Sequence, residues 1–141
     1  MAAPFNKFNS FVEAVAEKKH DLGADVLKCM LTNVAPVAAN AVKTDITEIA
    51  AGNGYTAGGN QATQTGSVQS GGVYKLTCSD PTIWTCVTAP MATFRYVVMY
   101  NDTAANDELI GWWDYGSAIT LQIGETFLHD LDATNGVLTL T

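Results

Sequence analysis

The hydrophobic residues nearest the N-terminus recur at the spacing of one face of an α-helix, at Phe8, Phe11, Val12 and Val15. Ser10 and Glu13 have the spacing of a capping box, in which side chains satisfy free backbone N–H groups of the first turn. Positive charge at residues 18–20 suits the carboxyl end of the helix dipole, and Gly23 suits the position after the last turn. The pattern predicts one amphipathic helix over residues 7–21.

After this helix the hydrophobic pattern changes to the period of two that is typical of β-strands. Residues 26–32, VLKCMLT, place Leu27, Cys29 and Leu31 on one face. Residues 52–60 contain four glycines and predict a loop.

Short runs with this period continue to the C-terminus, separated by turn residues. The predicted strands cover residues 61–69, 73–78, 82–87, 94–100, 109–115, 118–123, 126–131 and 137–141. Such strands are typical of an antiparallel β-sandwich or a jelly roll. The sequence therefore predicts one mainly β domain over residues 1–141, with an N-terminal arm and α-helix in residues 1–24 and a β-body in residues 25–141. Because the helix is terminal, we expect the β-body to fold without residues 1–22.

Strict alternation assigns the faces of two central strands. One face of residues 94–100 carries Phe94, Tyr96, Val98 and Tyr100. The opposite face carries Arg95, Val97 and Met99, so both sides of this strand are predicted to be covered. One face of residues 109–115 carries Leu109, Gly111, Trp113 and Tyr115. The opposite face carries Ile110, Trp112 and Asp114.

Residues 100–117, YNDTAANDELIGWWDYGS, combine aromatic and acidic side chains that are typical of sugar-binding surfaces. Neighbouring residues of a strand point to opposite faces, so Trp112 and Trp113 cannot form one flat stacking platform. We expect one tryptophan in the core and the other on the outer face. The outer tryptophan, with Asp114 and Tyr115, is a candidate surface contact.

The same stretch contains oxygen ligands that suit calcium, at Asn101, Asp102, Asn106, Asp107 and Glu108. Asp and Asn are also common in turns, because their side chains bond to nearby backbone groups. The structural turn is the favoured interpretation here and at Asp130 and Asp132, and we predict no metal site.

Catalytic signals are few. His20 lies at a predicted helix end and His129 in a predicted strand, and neither belongs to a local motif. The sequence contains no Gly-x-Ser-x-Gly elbow, Walker loop or dinucleotide-binding fingerprint. We therefore expect no enzyme and no cofactor, and we interpret His129 as a hydrogen-bonded structural histidine.

The three cysteines, Cys29, Cys78 and Cys86, are expected to be reduced in a cytoplasm. Cys29 lies on the apolar face of its strand, which predicts a buried thiol. Cys78 and Cys86 flank a proline-containing connection and are expected to be more accessible, so they could form a disulfide within the chain or between subunits. The alternative is that all three are buried, inert thiols.

Charge restricts the choice of partners. The chain has 14 acidic and 7 basic residues, a net charge of −7, which argues against nucleic acid as a partner. Only 15% of its residues are charged, so part of the surface is expected to face other subunits, in a closed homo-oligomer that we expect to be a trimer. The pattern predicts neither a secretory signal nor a membrane span.

Several longer phrases resemble a family of small structural proteins of tailed-bacteriophage virions. They are DITEIAAGNGYTAGG (residues 45–59), FRYVVMYNDT (94–103), IGWWDYGSAITL (110–121) and DATNGVLTL (132–140), supported by FNKFNSFVEAVAEK (5–18) and LKCMLTN (27–33). The resemblance implies a particle component, assembled in the host cytoplasm and located in the virion. A capsid decoration or cement protein that binds the major capsid protein is the preferred interpretation. A neck, tail or fibre component and a carbohydrate-binding module are the alternatives.

Overall fold

The computed structural model describes residues 3–141 and shows a mainly β fold with antiparallel sheets and one α-helix, which confirms the predicted class. The single α-helix is α1 (Ser10–Ala16), and a 3₁₀ turn covers Lys43–Asp45. The strands are β1 (Phe5–Lys7), β2 (Leu27–Thr32), β3 (Asn60–Ala62), β4 (Gln64–Ser70), β5 (Val73–Cys78), β6 (Trp84–Thr85), β7 (Phe94–Asn101), β8 (Leu109–Ile119), β9 (Thr126–Phe127) and β10 (Leu138–Leu140).

The strands form three sheets. The main sheet has five strands in the order β1-β8-β7-β2-β3, a second sheet has the order β10-β5-β4, and β6 pairs with β9 as a two-stranded ribbon. The C-terminal strand is paired into a sheet, as the sequence suggested, because Leu138 lies opposite Leu76 and Leu140 opposite Tyr74.

The main sheet is covered on both faces. One face meets the three-stranded sheet and the ribbon in a main core that includes Phe11, Leu27, Cys29, Leu31, Leu76, Cys78, Trp84, Cys86, Phe94, Val97, Met99, Ile110 and Trp113. The other face carries a second cluster of Phe8, Met30, Val98, Tyr100 and Leu109, with Ile46 and Trp112 packed against it. Leu27, Cys29 and Leu31 share the main core, as alternation predicted.

Bulges between β7 and β8 change the predicted faces. The register shifts between Phe94 and Tyr96, so Phe94 joins Val97 in the main core and not Val98 in the second cluster. A second register shift, between Met99 and Tyr100, places the first residues of β8 on the faces opposite to those that alternation predicted. Ile110 therefore lies in the main core, where strict alternation predicted the opposite face. An extra residue on one strand turns the side chains before it to the other face.

The N-terminal helix is shorter than predicted. Ser10 lies inside α1, and the N-cap residue Asn9 makes no side-chain cap hydrogen bond, so the predicted capping box is absent. The helix ends before Lys18, whose φ of 63° places it in the left-handed region. The Lys18 and Lys19 amides donate to the carbonyls of Val15 and Ala14, which is a Schellman ending, and Gly23 has no part in it.

The N-terminal segment contributes to the main sheet and to both hydrophobic clusters. Residues 5–7 form the edge strand β1, in which Phe5 lies opposite Trp113 of β8. Phe8 and Phe11 are buried, in the second cluster and the main core respectively. The first residues that the structure describes are therefore part of the sandwich.

Three predicted strands are shorter or merged. The predicted strands at residues 82–87 and 126–131 retain only β6 and β9, and residues 118–119 belong to the end of β8. The turn between β4 and β5 was predicted correctly. Gly71 and Gly72 have φ values of 59° and 83°, as a two-residue hairpin turn requires.

Candidate functional site: two exposed apolar surfaces

The two tryptophans of β8 point to opposite faces of the main sheet, as predicted. Trp113 is buried in the main core, with its ring centroid 5.3 Å from Phe5 and 4.4 Å from His129. Trp112 is half-buried beside the second cluster and packs on Phe8 at 4.6 Å between centroids. Trp112 is therefore the outer tryptophan of the predicted surface contact.

The remaining members of that predicted contact do not join Trp112 in one platform. Asp114 accepts two hydrogen bonds from Arg95, at 2.7 and 3.0 Å, and this pairing lowers the pKa of the carboxyl group. Tyr115 packs against the main core, on the opposite face, and its hydroxyl lies 2.6 Å from Nδ1 of His129. The structure thus separates Tyr115 from Trp112 and Asp114.

The acidic loop after β7 uses its side chains to form a turn. The side-chain oxygen of Asn101 accepts hydrogen bonds from the backbone amides of residues 103 and 104, at 3.0 and 3.1 Å. Asp102 pairs with Lys28 at 3.0 Å. Within residues 3–141, no group of three His, Cys, Asp or Glu side chains is arranged to hold a metal ion.

All three cysteines are free, buried thiols. The expected accessibility of Cys78 and Cys86 is wrong, since their exposed fractions are 1% and 0%. The Cys86 thiol donates to the Ala89 carbonyl at 3.1 Å. Burial raises the pKa of Cys78 to about 11. The pKa of Cys29 is raised further, mainly by burial and to a smaller extent by the neighbouring Cys78. These thiols are part of the core and show no feature of a reactive site.

Both histidines are buried. The Tyr115 hydroxyl is the hydrogen-bond partner of His129, whose other ring nitrogen has no partner within residues 3–141. Burial lowers the pKa of His129 to about 3. His20 Nδ1 lies 3.1 Å from the Asn101 side-chain amide, which also donates to Asp25 at 2.6 Å. No sequence pattern predicted the contact between His20 and Asn101, because the two residues are far apart along the chain.

A partly buried hydrogen-bond network, which the sequence did not predict, holds the glycine-containing loop of residues 52–60 against the main sheet. The Glu48 carboxylate accepts hydrogen bonds from the Tyr55 hydroxyl at 2.6 Å and from the Gly58 amide at 2.5 Å. The Tyr100 hydroxyl donates to the Gly58 carbonyl at 2.6 Å, and the Leu31 amide donates to the Tyr55 hydroxyl at 3.1 Å. Each polar group has a partner within the fold, which identifies a structural role.

One exposed apolar surface is the valine loop, which we define as residues 33–40, NVAPVAAN. Its exposed residues include Val34, Ala35, Val37, Ala38 and Ala39. Val34 and Val37 are 55% and 56% exposed. The loop is held in shape because the Asn40 side chain accepts from the Val37 amide at 2.9 Å and the Ala38 carbonyl accepts from the Asn9 amide at 2.9 Å. It presents an ordered surface without charge.

The second exposed apolar surface is the outer side of the ribbon formed by β6 and β9. Trp84 and Phe127 lie opposite each other and point into the main core. Alternation then directs their neighbours outward. Ile83, Val87 and Leu128, together with Ile123 in the preceding connection, are between 45% and 64% exposed.

These two surfaces adjoin opposite faces of the main sheet. The ribbon packs on the main core through Trp84. The valine loop is bonded to Asn9, next to Phe8 of the second cluster, and the chain that follows it places Ile46 against the same cluster. A small domain with separated apolar surfaces can contact two neighbours at once.

Comparisons of this chain with protein-family models, with curated proteins and with solved structures found no match. No helix within residues 3–141 is long and apolar enough to cross a membrane.

Proposed function

We propose that this chain is a structural component of a tailed-bacteriophage virion, and specifically a decoration or cement protein of the head that is assembled in the host cytoplasm. The observation that best supports this proposal is the pair of exposed apolar surfaces, the valine loop and the ribbon, on one sandwich. Exposed apolar surface of this kind is typical of proteins that function in contact with others. The resemblance of the sequence to phage structural proteins agrees with it.

The proposed partner is the major capsid protein. A protein that binds the assembled shell and not the free subunit stabilises the shell by mass action. Burying the valine loop against the shell removes Val34 and Val37 from water, which is favourable because apolar surface leaves the solvent. The loop needs little ordering on binding, since backbone and side-chain hydrogen bonds already fix its shape.

The proposed homo-oligomer is a trimer with a closed ring. Contacts between different surfaces of neighbouring copies close into a ring when the rotation between copies allows it. The ribbon of one copy and an apolar surface of the next would form such a contact. The net charge of −7 favours contact through uncharged surfaces, because acidic surfaces of identical copies repel each other.

A binding experiment with capsid shells tests the proposal. The double variant Val34→Lys, Val37→Lys should reduce binding to shells of the major capsid protein at least about tenfold, because it places charge in the contact. Val73→Lys, on the exposed end of β5, is the matched control and should bind as the parent does. Equal binding by both variants, or absence of this chain from purified heads, contradicts the proposal.

The alternatives make different predictions. Immunogold labelling of virions separates a head protein from a neck, tail or fibre component. A carbohydrate-binding module would require Trp112, Asp114 and Tyr115 to face one ligand. That alternative has less support, because Arg95 occupies the Asp114 carboxylate and Tyr115 lies on the other face. Specific binding on a glycan array that Trp112→Ala abolishes would favour it.

A further inference from the structure

Strand β4 has an open edge. It is the outermost strand of the three-stranded sheet, paired with β5 on one side and with no strand of residues 3–141 on the other. Residues 67–70 are all exposed. With seven residues it is longer than the edge strands β1, β3 and β10, which have three each. It contains neither a charged residue nor a proline, which often protect an edge from pairing, and its one register shift, between Gln64 and Gly66, lies before the exposed residues 67–70.

The turn that follows β4 determines which backbone groups are free. In a two-residue hairpin the flanking residues, here Ser70 and Val73, form a hydrogen-bonded pair. Hydrogen-bonded and non-hydrogen-bonded pairs then alternate, so Val68 bonds to Lys75 of β5. The N–H and C=O groups of Ser67 and Gln69 therefore point away from β5 and are available to another strand.

We propose that β4 pairs antiparallel with β4 of a second copy of this chain, with the two-fold axis at Val68. In this register Ser67 of each copy forms a hydrogen-bonded pair with Gln69 of the other. The two Val68 residues form the central, non-hydrogen-bonded pair, in which side chains of opposite strands come closest. The two three-stranded sheets then form one continuous sheet.

The observations favour a second copy as the occupant of this edge. Two-fold pairing brings each strand against itself, so any charge on it would face a like charge, and β4 has none despite the net charge of −7. Val68 is 59% exposed, and pairing covers it with an identical apolar side chain. Lys75 lies beside Val68 on β5, but its ammonium group donates to the Thr134 carbonyl at 3.0 Å, on the side of β10 and away from the open edge.

This contact does not rest on the proposed function. Alone it produces a dimer, and together with the proposed three-fold contact it links one trimer to another. A disulfide formed by the variant Val68→Cys distinguishes this contact from any contact through the valine loop or the ribbon.

A disulfide across the axis is the first test. Val68→Cys should give a covalent dimer under mild oxidation, because non-hydrogen-bonded partners have Cα atoms about 4.5 Å apart, within disulfide range. The native cysteines are buried and should not interfere. Val73→Cys, which is 38% exposed on the neighbouring strand and lies off the axis, is the matched control and should stay monomeric on non-reducing electrophoresis. Equal cross-linking of both variants, or of neither, overturns the proposal.

A charge exchange at the same position is the second test. Val68→Glu and Val68→Lys should each weaken two-fold association at least about tenfold in analytical ultracentrifugation, because like charges then face each other. An equimolar mixture of the two variants should recover the association. Thermal unfolding like that of the parent shows that each variant is folded, as expected for an exposed position. Unchanged association of Val68→Glu, or no recovery in the mixture, overturns the proposal.

Discussion

At the scale of single residues, Gly59 permits a contact that no other residue could make. Its φ is 76°, and a Cβ atom there would overlap the Cys29 carbonyl oxygen of β2. Gly124 has a similar φ of 86°, but a Cβ atom there would meet open space. The two glycines therefore separate the effect of backbone strain from the effect of close approach.

We predict that Gly59→Ala destabilises the protein much more than Gly124→Ala. The second change should lower the free energy of unfolding by about 1–2 kcal/mol, which is the strain of a left-handed conformation. The first should lower it by at least about 2 kcal/mol more, because the chain must also shift away from β2. Urea unfolding of the two variants measures the difference, and equal losses would contradict the close contact at Gly59.

A second residue-scale property is the low basicity of His129. Burial lowers its pKa to about 3 from 6.5, so the imidazole is neutral in the folded chain and gains a proton more readily when unfolded. The unfolded state then binds more protons as the pH falls below about 6.5, and folding becomes less stable. This contribution is fully present above that pH and decreases toward about pH 3.

We predict that the free energy of unfolding falls by about 2 kcal/mol through His129 between about pH 7 and about pH 5. The pKa of the Asp114 carboxyl is lowered, and its contribution is lost only below its usual value of 3.8, outside this window. His129→Gln should show a shallower pH dependence than the parent. Burial also lowers the pKa of His20, so His20→Gln is a needed comparison. An unchanged slope in His129→Gln would contradict the assignment.

At the scale of elements, β1 and α1 are part of the sandwich. Phe11 is 1% exposed in the main core, whereas the next residue of the helix, Val12, is 51% exposed. Removal of residues 1–22 would unpair one edge of the main sheet and uncover both hydrophobic clusters. We therefore now expect that truncated chain to lose cooperative unfolding, contrary to the expectation from sequence.

Neighbouring substitutions in α1 test this role. Phe11→Ala should lower the free energy of unfolding by about 3–5 kcal/mol, because it leaves a cavity in the main core. Val12→Ala should change it by less than about 0.5 kcal/mol, since the side chain is largely in solvent. Chemical denaturation of both variants measures the contrast. Similar small effects would show that α1 is a dispensable arm, as first predicted.

At the scale of the whole molecule, the three cysteines report on the integrity of the sandwich. Cys29 comes from the main sheet, Cys78 from the three-stranded sheet, and Cys86 follows the ribbon strand β6. All are at most 1% exposed. A thiol reagent can reach them only if these layers separate.

We predict that none of the three thiols of the native protein reacts measurably with a thiol-specific reagent. The time allowed is the time in which all three thiols of the unfolded protein react completely. The raised pKa values of Cys29 and Cys78 reduce their reactivity further. The absorbance of the released chromophore measures this, with unfolded protein as the control for three thiols per chain. Rapid reaction of one thiol in the native state would revive the proposed link between Cys78 and Cys86.

Some features of the fold follow from the sequence alone, because their causes are local. The apolar face of β2 and the opposite directions of Trp112 and Trp113 follow from the two-residue period of any strand. The turn at Gly71 and Gly72 follows from residues that adopt positive φ without strain. The expected structural role of the Asn101 side chain in its turn belongs to the same class.

Other features were decided only by the tertiary structure, because they depend on what lies opposite. The bulges beside Phe94 and Ile110 arise from the pairing of β7 with β8, so alternation within one strand could not assign those faces. Residues 5–7 adopt a strand conformation because β8 offers them a partner, whereas the sequence predicted only an arm there, with a helix beginning at residue 7.

The two candidate surfaces also depend partly on the sequence and partly on the tertiary structure. Composition indicated that this chain has too few charges to cover its surface, but not where the apolar surface lies. The residues of the valine loop and the ribbon have no pattern that distinguishes them from core residues. Layer packing decided that Trp84 and Phe127 point inward and left Ile83 and Leu128 exposed. Burial depends on residues that are distant along the chain, and periodicity describes only the residues that are near.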